Sequence, residues 1–174
     1  MTKLIDFLDK QYDHAYEMVK FGEAKNTTLA AFNGAIIIGI AQILKDVDYC
    51  PFKYYLQYAI IMCVISIFIS FSALIAKIKH APNIRRGYPN TNLMYFATLA
   101  NLDHQGLIAK LTNEYGCLSD NQKYEEDVAR QVIITSQIAN RKFHYFNIGM
   151  SFTFAGLLTP LILIVYKMFL DQDK

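Results

Sequence analysis

Three apolar segments, each long enough to cross a lipid bilayer as a helix, constrain the fold of this chain more than any other feature. They cover residues 28–44, 55–78 and 146–170, and none of them contains Asp, Glu or Arg. A helix of about 17–25 residues spans a hydrocarbon layer ~30 Å thick. Backbone polar groups in lipid must be bonded within the structure. The sequence therefore predicts an all-α integral membrane protein with three transmembrane helices.

Basic residues predict how these spans are oriented. They flank the long segment of residues 79–145 on both sides, close to the predicted membrane surface. Since loops rich in Lys and Arg stay on the cytoplasmic side, we expect this segment and the N-terminus in the cytoplasm and the C-terminus outside. The residues are Lys77, Lys79, Arg85, Arg86, Arg141 and Lys142.

Outside the spans, the sequence predicts a cytoplasmic helical bundle built from residues 1–27 and 79–145. The first segment has the spacing of an amphipathic helix. Asn26, Thr27 and Thr28 offer capping side chains before the first span, yet the helix could equally run through them, and the sequence does not decide. With 174 residues in all, we predict a single domain, 1–174. The expected apolar face of the first helix comprises Ile5, Leu8, Tyr12, Ala15 and Val19.

The long cytoplasmic segment predicts two helices. The first covers residues 91–115 and is weakened in its middle by Gly106. The second begins near Ser119 or Asp120, and the acidic run 125–127 is expected to be solvated at its positive N-terminal end. Residues 118–147 contain no Gly or Pro. The last span is therefore predicted to continue this second helix, giving about 50 residues in one stiff rod.

Composition and motifs exclude several function classes. The formal net charge of +2 argues against a nucleic-acid binder, which would carry a concentrated excess of Lys and Arg. The chain lacks HExxH, GxSxG, GxGxxG and Walker sequences, and its three cysteines have no CxxC spacing. We therefore predict a protein that is not an enzyme, with no catalytic residue, metal or cofactor.

Small residues in the spans predict close helix packing. In the first span Ala31, Ala35 and Gly39 recur every four residues, a spacing that lets another helix approach within one subunit or between subunits. In the third span Gly149 and Gly156 lie seven residues apart. We expect assembly into homo-oligomers in the lipid bilayer.

Polar residues inside the spans have two interpretations. Asn33, Gln42, Ser66 and Ser70 lie within apolar surroundings, where an amide or hydroxyl needs a hydrogen-bond partner. They either join helices or line a path for water, and the sequence leaves both open. Because no span holds an acid or Arg, a proton-coupled transporter or voltage sensor is disfavoured.

Three segments carry a resemblance to a known family. They are FGEAKNTTLAAFNGAIIIG at the first span, NTNLMYFATLA after Pro82 and Pro89, and QIANRKFHYFNIGMSF before the last span. With the spacing of the spans, they resemble the Pycsar transmembrane effectors of bacterial anti-phage signalling by cyclic pyrimidine mononucleotides. The resemblance implies an inner-membrane effector that stays silent until the messenger accumulates and then impairs membrane integrity.

The implied ligand directs attention to cations and aromatic rings. A cyclic mononucleotide offers one phosphate and one flat base, which suit Arg or Lys and a stacking ring. Headgroup anchoring and helix packing explain the same residues. The chain has no recognisable separate nucleotide-binding domain. A different class of protein, a membrane scaffold or small channel subunit that binds a protein partner, stays open. The ligand candidates are Arg85, Arg86, Tyr88, Tyr95, Arg130 and Arg141, with Phe96 and Lys110 beside them.

Overall fold

The computed structural model describes residues 3–45, 50–75, 92–117, 119 and 121–172. Within these residues the chain forms five α-helices and no β-strand, so the all-α prediction is confirmed. The helices are α1 Leu4–Ile43, α2 Cys50–Leu74, α3 Phe96–Leu99, α4 His104–Tyr115 and α5 Gln122–Gln172.

The helices are grouped into two compact units, and helices α1 and α5 contribute to both. Unit 1 comprises Met1–Glu23 and Lys77–Phe143, and unit 2 comprises Ala24–Ala76 and His144–Lys174. The prediction of one domain over the whole chain stays a prediction.

Helix α1 runs without a break through Asn26, Thr27 and Thr28, which settles the alternative that the sequence left open. Its buried positions recur three or four residues apart, as the helical period requires. The predicted apolar face was wrong at one position, because Gln11 is buried and Tyr12 is exposed. The buried positions are Leu4, Leu8, Gln11, Ala15 and Gly22 in unit 1, and Asn26, Leu29, Asn33 and Ile40 in unit 2.

The region predicted as one helix over residues 91–115 is instead two helices. Helix α4 begins after Asp103, whose side chain accepts a hydrogen bond from the Gly106 N–H at 3.0 Å. Gly106 therefore lies in the first turn, where a Cβ would collide with the Asp103 carboxylate. The helix ends at Gly116, which adopts the left-handed conformation that favours glycine.

Helix α5 has 51 residues, in agreement with the predicted rod of about 50. It begins later than predicted, after Asn121, whose side-chain oxygen accepts from the Tyr124 N–H at 3.4 Å. Glu125 was expected to be solvated, but it is 2% exposed. Its carboxylate accepts from the Ser119 hydroxyl and, at 3.5 Å, from the Asn121 N–H, so it closes the start of the helix.

Leucine side chains form the core of unit 1. Helices α3 and α4 pack with the parts of α1 and α5 that belong to unit 1, and most exposed rings in this unit are tyrosines. A core of large aliphatic side chains under a polar surface is the arrangement that water favours. The core residues are Leu4, Leu8, Leu93, Leu99, Leu107, Leu111, Cys117, Ala129, Val132 and Ile133.

Two of the described helices are long and apolar enough to cross a membrane, namely α1 and the Phe52–Leu74 part of α2. The sequence predicted three spans, which is one more than the described residues show. Residues 146–170 are helical within α5. The side chains of residues 160, 161 and 163–172, however, lie outside the described residues, and ten of them belong to the 25 residues of the predicted third span.

Candidate functional site

The inner face of helix α2 in unit 2 consists wholly of small residues. Every third or fourth residue is buried, and the intervening positions carry large apolar side chains. This face lets two other helices approach closely, because no long side chain holds them apart. The buried residues are Ala59, Cys63, Ser66, Ser70 and Ala73.

Glycines of α5 lie against this face. A Cβ on Gly149 would be 3.1 Å from Leu29 Cδ2 and 3.3 Å from Ser66 Oγ, and a Cβ on Gly156 would be 2.8 Å from Met62 Cβ and 3.3 Å from the Ala59 carbonyl oxygen. Real Cβ atoms do not occupy a gap as narrow as the one at Gly156. The two glycines therefore lie where α5 comes closest to its neighbours in unit 2.

Three polar side chains join α1, α2 and α5 in the middle of unit 2, and we name Asn33, Ser66 and Thr153 the polar junction. All three are at most 1% exposed. The Asn33 amide donates to Ser66 Oγ at 3.0 Å, Ser66 Oγ donates to the Gly149 carbonyl at 2.8 Å, and the Thr153 hydroxyl is 3.0 Å from Asn33 Oδ1. Each helix is thus bonded to the other two.

The junction also bonds to the backbone. The Asn33 amide nitrogen lies 3.0 Å from the Leu29 carbonyl oxygen, and Thr153 Oγ1 lies 3.0 Å from Ser66 Oγ and 3.2 Å from the Gly149 carbonyl oxygen. Buried amides and hydroxyls are costly without partners. The junction meets this requirement for all three of its residues.

One hydroxyl next to the junction is different. Ser70 lies one turn from Ser66 on α2, is fully buried, and its Oγ has no hydrogen-bond partner among the described residues. Its oxygen is 3.4 Å from the position of a Cβ on Gly149. On the inner face of α2, the Ser70 hydroxyl without a described partner therefore lies next to the hydrogen-bonded Ser66 hydroxyl.

The outer surface of unit 2 is apolar. Large side chains of all three helices are about half exposed or more, including Phe32 on α1, Phe68 on α2 and Phe154 on α5. Contiguous exposed apolar surface of this kind marks contact with a membrane or another protein. The remaining members are Ile38, Ile43, Tyr54, Ile61, Phe71, Ile75, Leu158 and Ile162, and Val64 is less exposed, at 36%.

The other small residues predicted to pack, Ala31, Ala35 and Gly39, are exposed on the opposite side of α1. A Cβ on Gly39 would meet nothing within 4 Å. Among the described residues, nothing packs on this face within the subunit. A contact of this face with a second subunit stays a prediction.

The predicted ligand residues are only partly described. Arg85, Arg86 and Tyr88 lie outside the described residues. Arg130 is exposed, with Nη2 3.4 Å from His104 Nε2. Arg141 is half-buried.

Tyr95, the remaining ligand candidate, is 53% exposed and its ring packs on Phe96 at 5.0 Å. The contacts described for Tyr95 and Arg130 involve different partners, Phe96 and His104. Among the described residues, no three His, Cys, Asp or Glu side chains come together in a way that could hold a metal ion.

Two features escaped the sequence argument. Thr153 completes the junction, and its spacing from Gly149 and Gly156 could have identified it as part of the same helix face. Lys142 is 7% exposed and pairs with Glu23 across 3.0 Å, next to Gly22, where a Cβ would lie 3.0 Å from Lys142 Cβ. A lysine expected only to mark the membrane surface is thus buried between helices, which no local pattern signals.

Comparison with known proteins bears on the identity of the chain. Residues 7–168 match the family described as the Pycsar effector protein domain. The chain is also 30% identical over 159 residues to the Pycsar effector protein RsPycTM of a Rhizobium species, an alignment that covers 87% of this chain and 90% of that protein. No solved structure matches the chain significantly.

The fold and the site define an all-helical protein in which small residues and a polar junction hold together apolar helices, two of which are long enough to cross a membrane. The chain belongs to the Pycsar effector protein family, as the resemblance implied, and is an effector of anti-phage defence.

Proposed function

We propose that this chain is a homo-oligomeric effector of the bacterial inner membrane that carries out no catalysis and impairs membrane integrity in response to a cyclic nucleotide. The observation that carries the proposal is the distribution of side chains in unit 2, whose buried positions are mostly small or polar, apart from Leu29 and Ile40, and whose exposed positions are mostly large and apolar. Lipid favours such an inverted arrangement. Separation of the helices would expose hydroxyls and an amide to water inside the membrane.

The direct test is permeability of cells that express the protein. We expect uptake of a membrane-impermeant dye when a cyclic pyrimidine mononucleotide is supplied, and no uptake without it. Uptake without any stimulus would favour the scaffold or channel-subunit alternative. No uptake in either condition, with the protein present in the membrane, would contradict membrane disruption.

The native cysteine Cys63 offers a test of opening at the site itself. Its side chain is fully buried on the inner face of α2, one turn from Ser66. In a Cys50→Ser, Cys117→Ser background, we expect a water-soluble thiol reagent to modify Cys63 only after stimulation. Phe68→Cys, in a Cys63→Ser version of that background, is the control, because position 68 is exposed on the apolar outer surface and its accessibility to the reagent should not change. Equal modification of Cys63 before and after stimulation would contradict opening of this face.

We propose three spans with a cytoplasmic N-terminus, and labelling of intact cells tests the orientation. Cys117 is unsuitable as a reporter because it is 3% exposed and would be protected on either side. Exposed positions are better, so we compare Lys53→Cys with Gln122→Cys in a cysteine-free background. Labelling at position 53 and protection at position 122 are expected. The reverse pattern would overturn the orientation.

Helix α5 supplies a route from the cytoplasm to the membrane, because it continues from unit 1 into unit 2 as one helix. A Gly-Gly-Ser insertion after Asn140 should uncouple the two parts, leaving an inserted protein that no longer responds. An Ala-Ala-Ala insertion at the same point is the control for the added length, since it retains helix propensity. A normal response of the Gly-Gly-Ser variant would remove this coupling from the mechanism.

The exposed face of Ala31, Ala35 and Gly39 is the proposed contact between subunits. Gly39→Leu should reduce crosslinked oligomers in the membrane because a bulky side chain separates close helices. Ile38→Leu, on an exposed neighbouring position, should leave them unchanged. Unchanged crosslinking in both variants would assign this face to lipid.

For the ligand, Arg130 is the described candidate best placed to meet a phosphate in solution, since its side chain is exposed beside His104. Calorimetric titration of the solubilised protein with cyclic CMP and cyclic UMP should show weaker binding for Arg130→Ala than for the parent. Arg141→Ala, Arg85→Ala and Arg86→Ala test the other guanidinium groups. Unchanged affinity in all four would exclude these residues as phosphate ligands.

A further inference from the structure

We propose that the segment before and within helix α3 is a lipid-interface anchor, in which Tyr95 inserts into the headgroup layer of the membrane. This inference goes beyond the proposed function, because it assigns a second membrane contact to a part of unit 1 that contains no predicted span.

Four aromatic rings of unit 1 form a continuous row. Tyr95 packs on Phe96 with ring centroids 5.0 Å apart, Phe96 packs on Phe143 at 5.3 Å, and Phe143 packs on Phe21 at 6.0 Å. The row joins α3 to α5 and α1 within unit 1. We call these four residues together with Met94 the aromatic anchor.

The anchor combines a buried middle with exposed ends. Phe96 is 8% exposed, whereas Phe21 is 50% and both Met94 and Tyr95 are 53% exposed. The buried Phe96 holds the row in place, and the exposed rings of Phe21 and Tyr95 present apolar surface with one phenol group.

The position of the anchor along the chain points to the membrane surface. Phe143 is the last residue of unit 1 on α5 and precedes the predicted third span by three residues, about 5 Å of helix. Phe21 precedes Ala24, the first residue of unit 2 on α1. Both helices therefore enter unit 2 within a few residues of the anchor.

Basic side chains occupy the same stretches of both helices. Lys20 lies over the Tyr16 ring at 4.4 Å in unit 1, and Lys25 lies over the Phe146 ring at 5.2 Å in unit 2. Arg141 is half-buried two residues before Phe143. Aromatic rings accompanied by Lys and Arg are the composition typical of the headgroup region, where rings take an amphipathic position and cations meet lipid phosphates.

The chain makes a clean optical test possible, because it contains no tryptophan. Tyr95→Trp places a single reporter in the anchor. Tyr124→Trp is a matched control, since Tyr124 is also a tyrosine of unit 1, is 54% exposed, and lies 19 residues before Phe143 on α5, about 29 Å along the helix. Met94→Trp gives a second reporter in the anchor should Tyr95→Trp not fold.

Each full-length variant is reconstituted into vesicles of phosphatidylcholine and phosphatidylglycerol, with and without brominated phosphatidylcholine. We expect blue-shifted emission from Trp at positions 95 and 94, quenched by about half by the brominated lipid, as suits an interfacial ring. Emission at position 124 should be that of a solvated indole and unquenched. Solvated, unquenched emission at both anchor positions would overturn the proposal.

Cyclic CMP and cyclic UMP form a further arm of the experiment. Quenching of the reporter at position 95 by a nucleotide, without quenching by brominated lipid, would assign Tyr95 to ligand binding and contradict the anchor. Quenching by lipid that is insensitive to nucleotide supports it. The outcome is independent of whether cells become permeable, so failure of the anchor and failure of the proposed function are distinguishable.

Discussion

The two units of this protein differ in the types of side chain that they bury and expose. Unit 1 buries leucines such as Leu99, Leu107 and Leu111 and exposes mainly tyrosines and charges. Unit 2 buries mostly small or polar side chains, two asparagines among them, with Leu29 and Ile40 as exceptions, and exposes phenylalanine and isoleucine. In water, burial of a large apolar side chain lowers the free energy of folding by about 1.5–3 kcal/mol. In lipid that gain is absent, and close contact and hydrogen bonds hold helices together instead.

Helices α1 and α5 make the comparison sharp because each contributes to both units. On α1 the buried face keeps the same helical period from Leu4 to Ile40, yet it changes from Leu4 and Leu8 to Asn26 and Asn33. The period is set by backbone geometry. The side-chain type is set by the surroundings, so the same helix carries two packing chemistries.

The largest expected effect is the loss of stability when a buried leucine of unit 1 is truncated, and an exposed leucine of unit 2 is the control. Leu107→Ala should lower the free energy of unfolding by about 3 kcal/mol, because it removes transfer energy and leaves a cavity. Leu158→Ala, at an exposed position of unit 2, should change it by less than about 0.5 kcal/mol. Thermal unfolding in detergent, followed by circular dichroism, measures both. Equal losses would show that Leu158 is as buried as Leu107, which would contradict the apolar outer surface of unit 2.

Adding a methyl group, by changing glycine to alanine, should destabilise unit 2 where its helices are in close contact. Gly156→Ala forces a Cβ against Met62 and the Ala59 carbonyl, so we expect a loss of about 1–3 kcal/mol. Gly39→Ala has open space and should be neutral or gain up to about 1 kcal/mol from helix propensity. The same unfolding measurement separates them. If Gly156→Ala were as stable as Gly39→Ala, the close contact of α5 with α2 would be absent.

Removal of one hydroxyl tests the polar junction. Thr153→Val keeps the shape but takes a donor from Asn33 Oδ1, and in a membrane we expect a loss of about 1 kcal/mol. Thr153→Ser should retain most of the stability. Ser151→Ala is the control, because the exposed Ser151 hydroxyl bonds only to the Asn147 carbonyl of its own helix, at 2.9 Å. A loss at position 151 as large as at position 153 would contradict an interhelical role.

The smallest effect is expected at Ser70, and its sign is the informative quantity. Ser70→Ala removes a buried hydroxyl that has no partner among the described residues, so stability should stay within about 0.5 kcal/mol or rise. Ser66→Ala, one turn away, breaks bonds to Asn33 and Gly149 and should be destabilising. A clear loss at Ser70 would indicate that its hydroxyl is bonded after all.

Much of the architecture followed from patterns along the chain. The all-α class, the α5 rod of about 50 residues and the family were all predicted, because apolar length, helical period and short motifs are local properties. The same reasoning identified Asn33 and Ser66 as residues that need partners. It misjudged Tyr12, Glu125 and Gly106, since one-residue shifts of a face and capping contacts depend on what packs nearby.

The sequence by itself determined that apolar helices of membrane-spanning length exist and that polar groups inside them require partners. Only the tertiary structure decided which partners they have. It brought Asn33, Ser66 and Thr153 from three distant segments into one junction, buried Lys142 against Gly22, and set Tyr95 at the exposed end of a row of rings. The physical reason is that hydrogen bonds and close contacts act over a few ångströms in space, whereas sequence patterns report only the direction in which each side chain leaves its own helix.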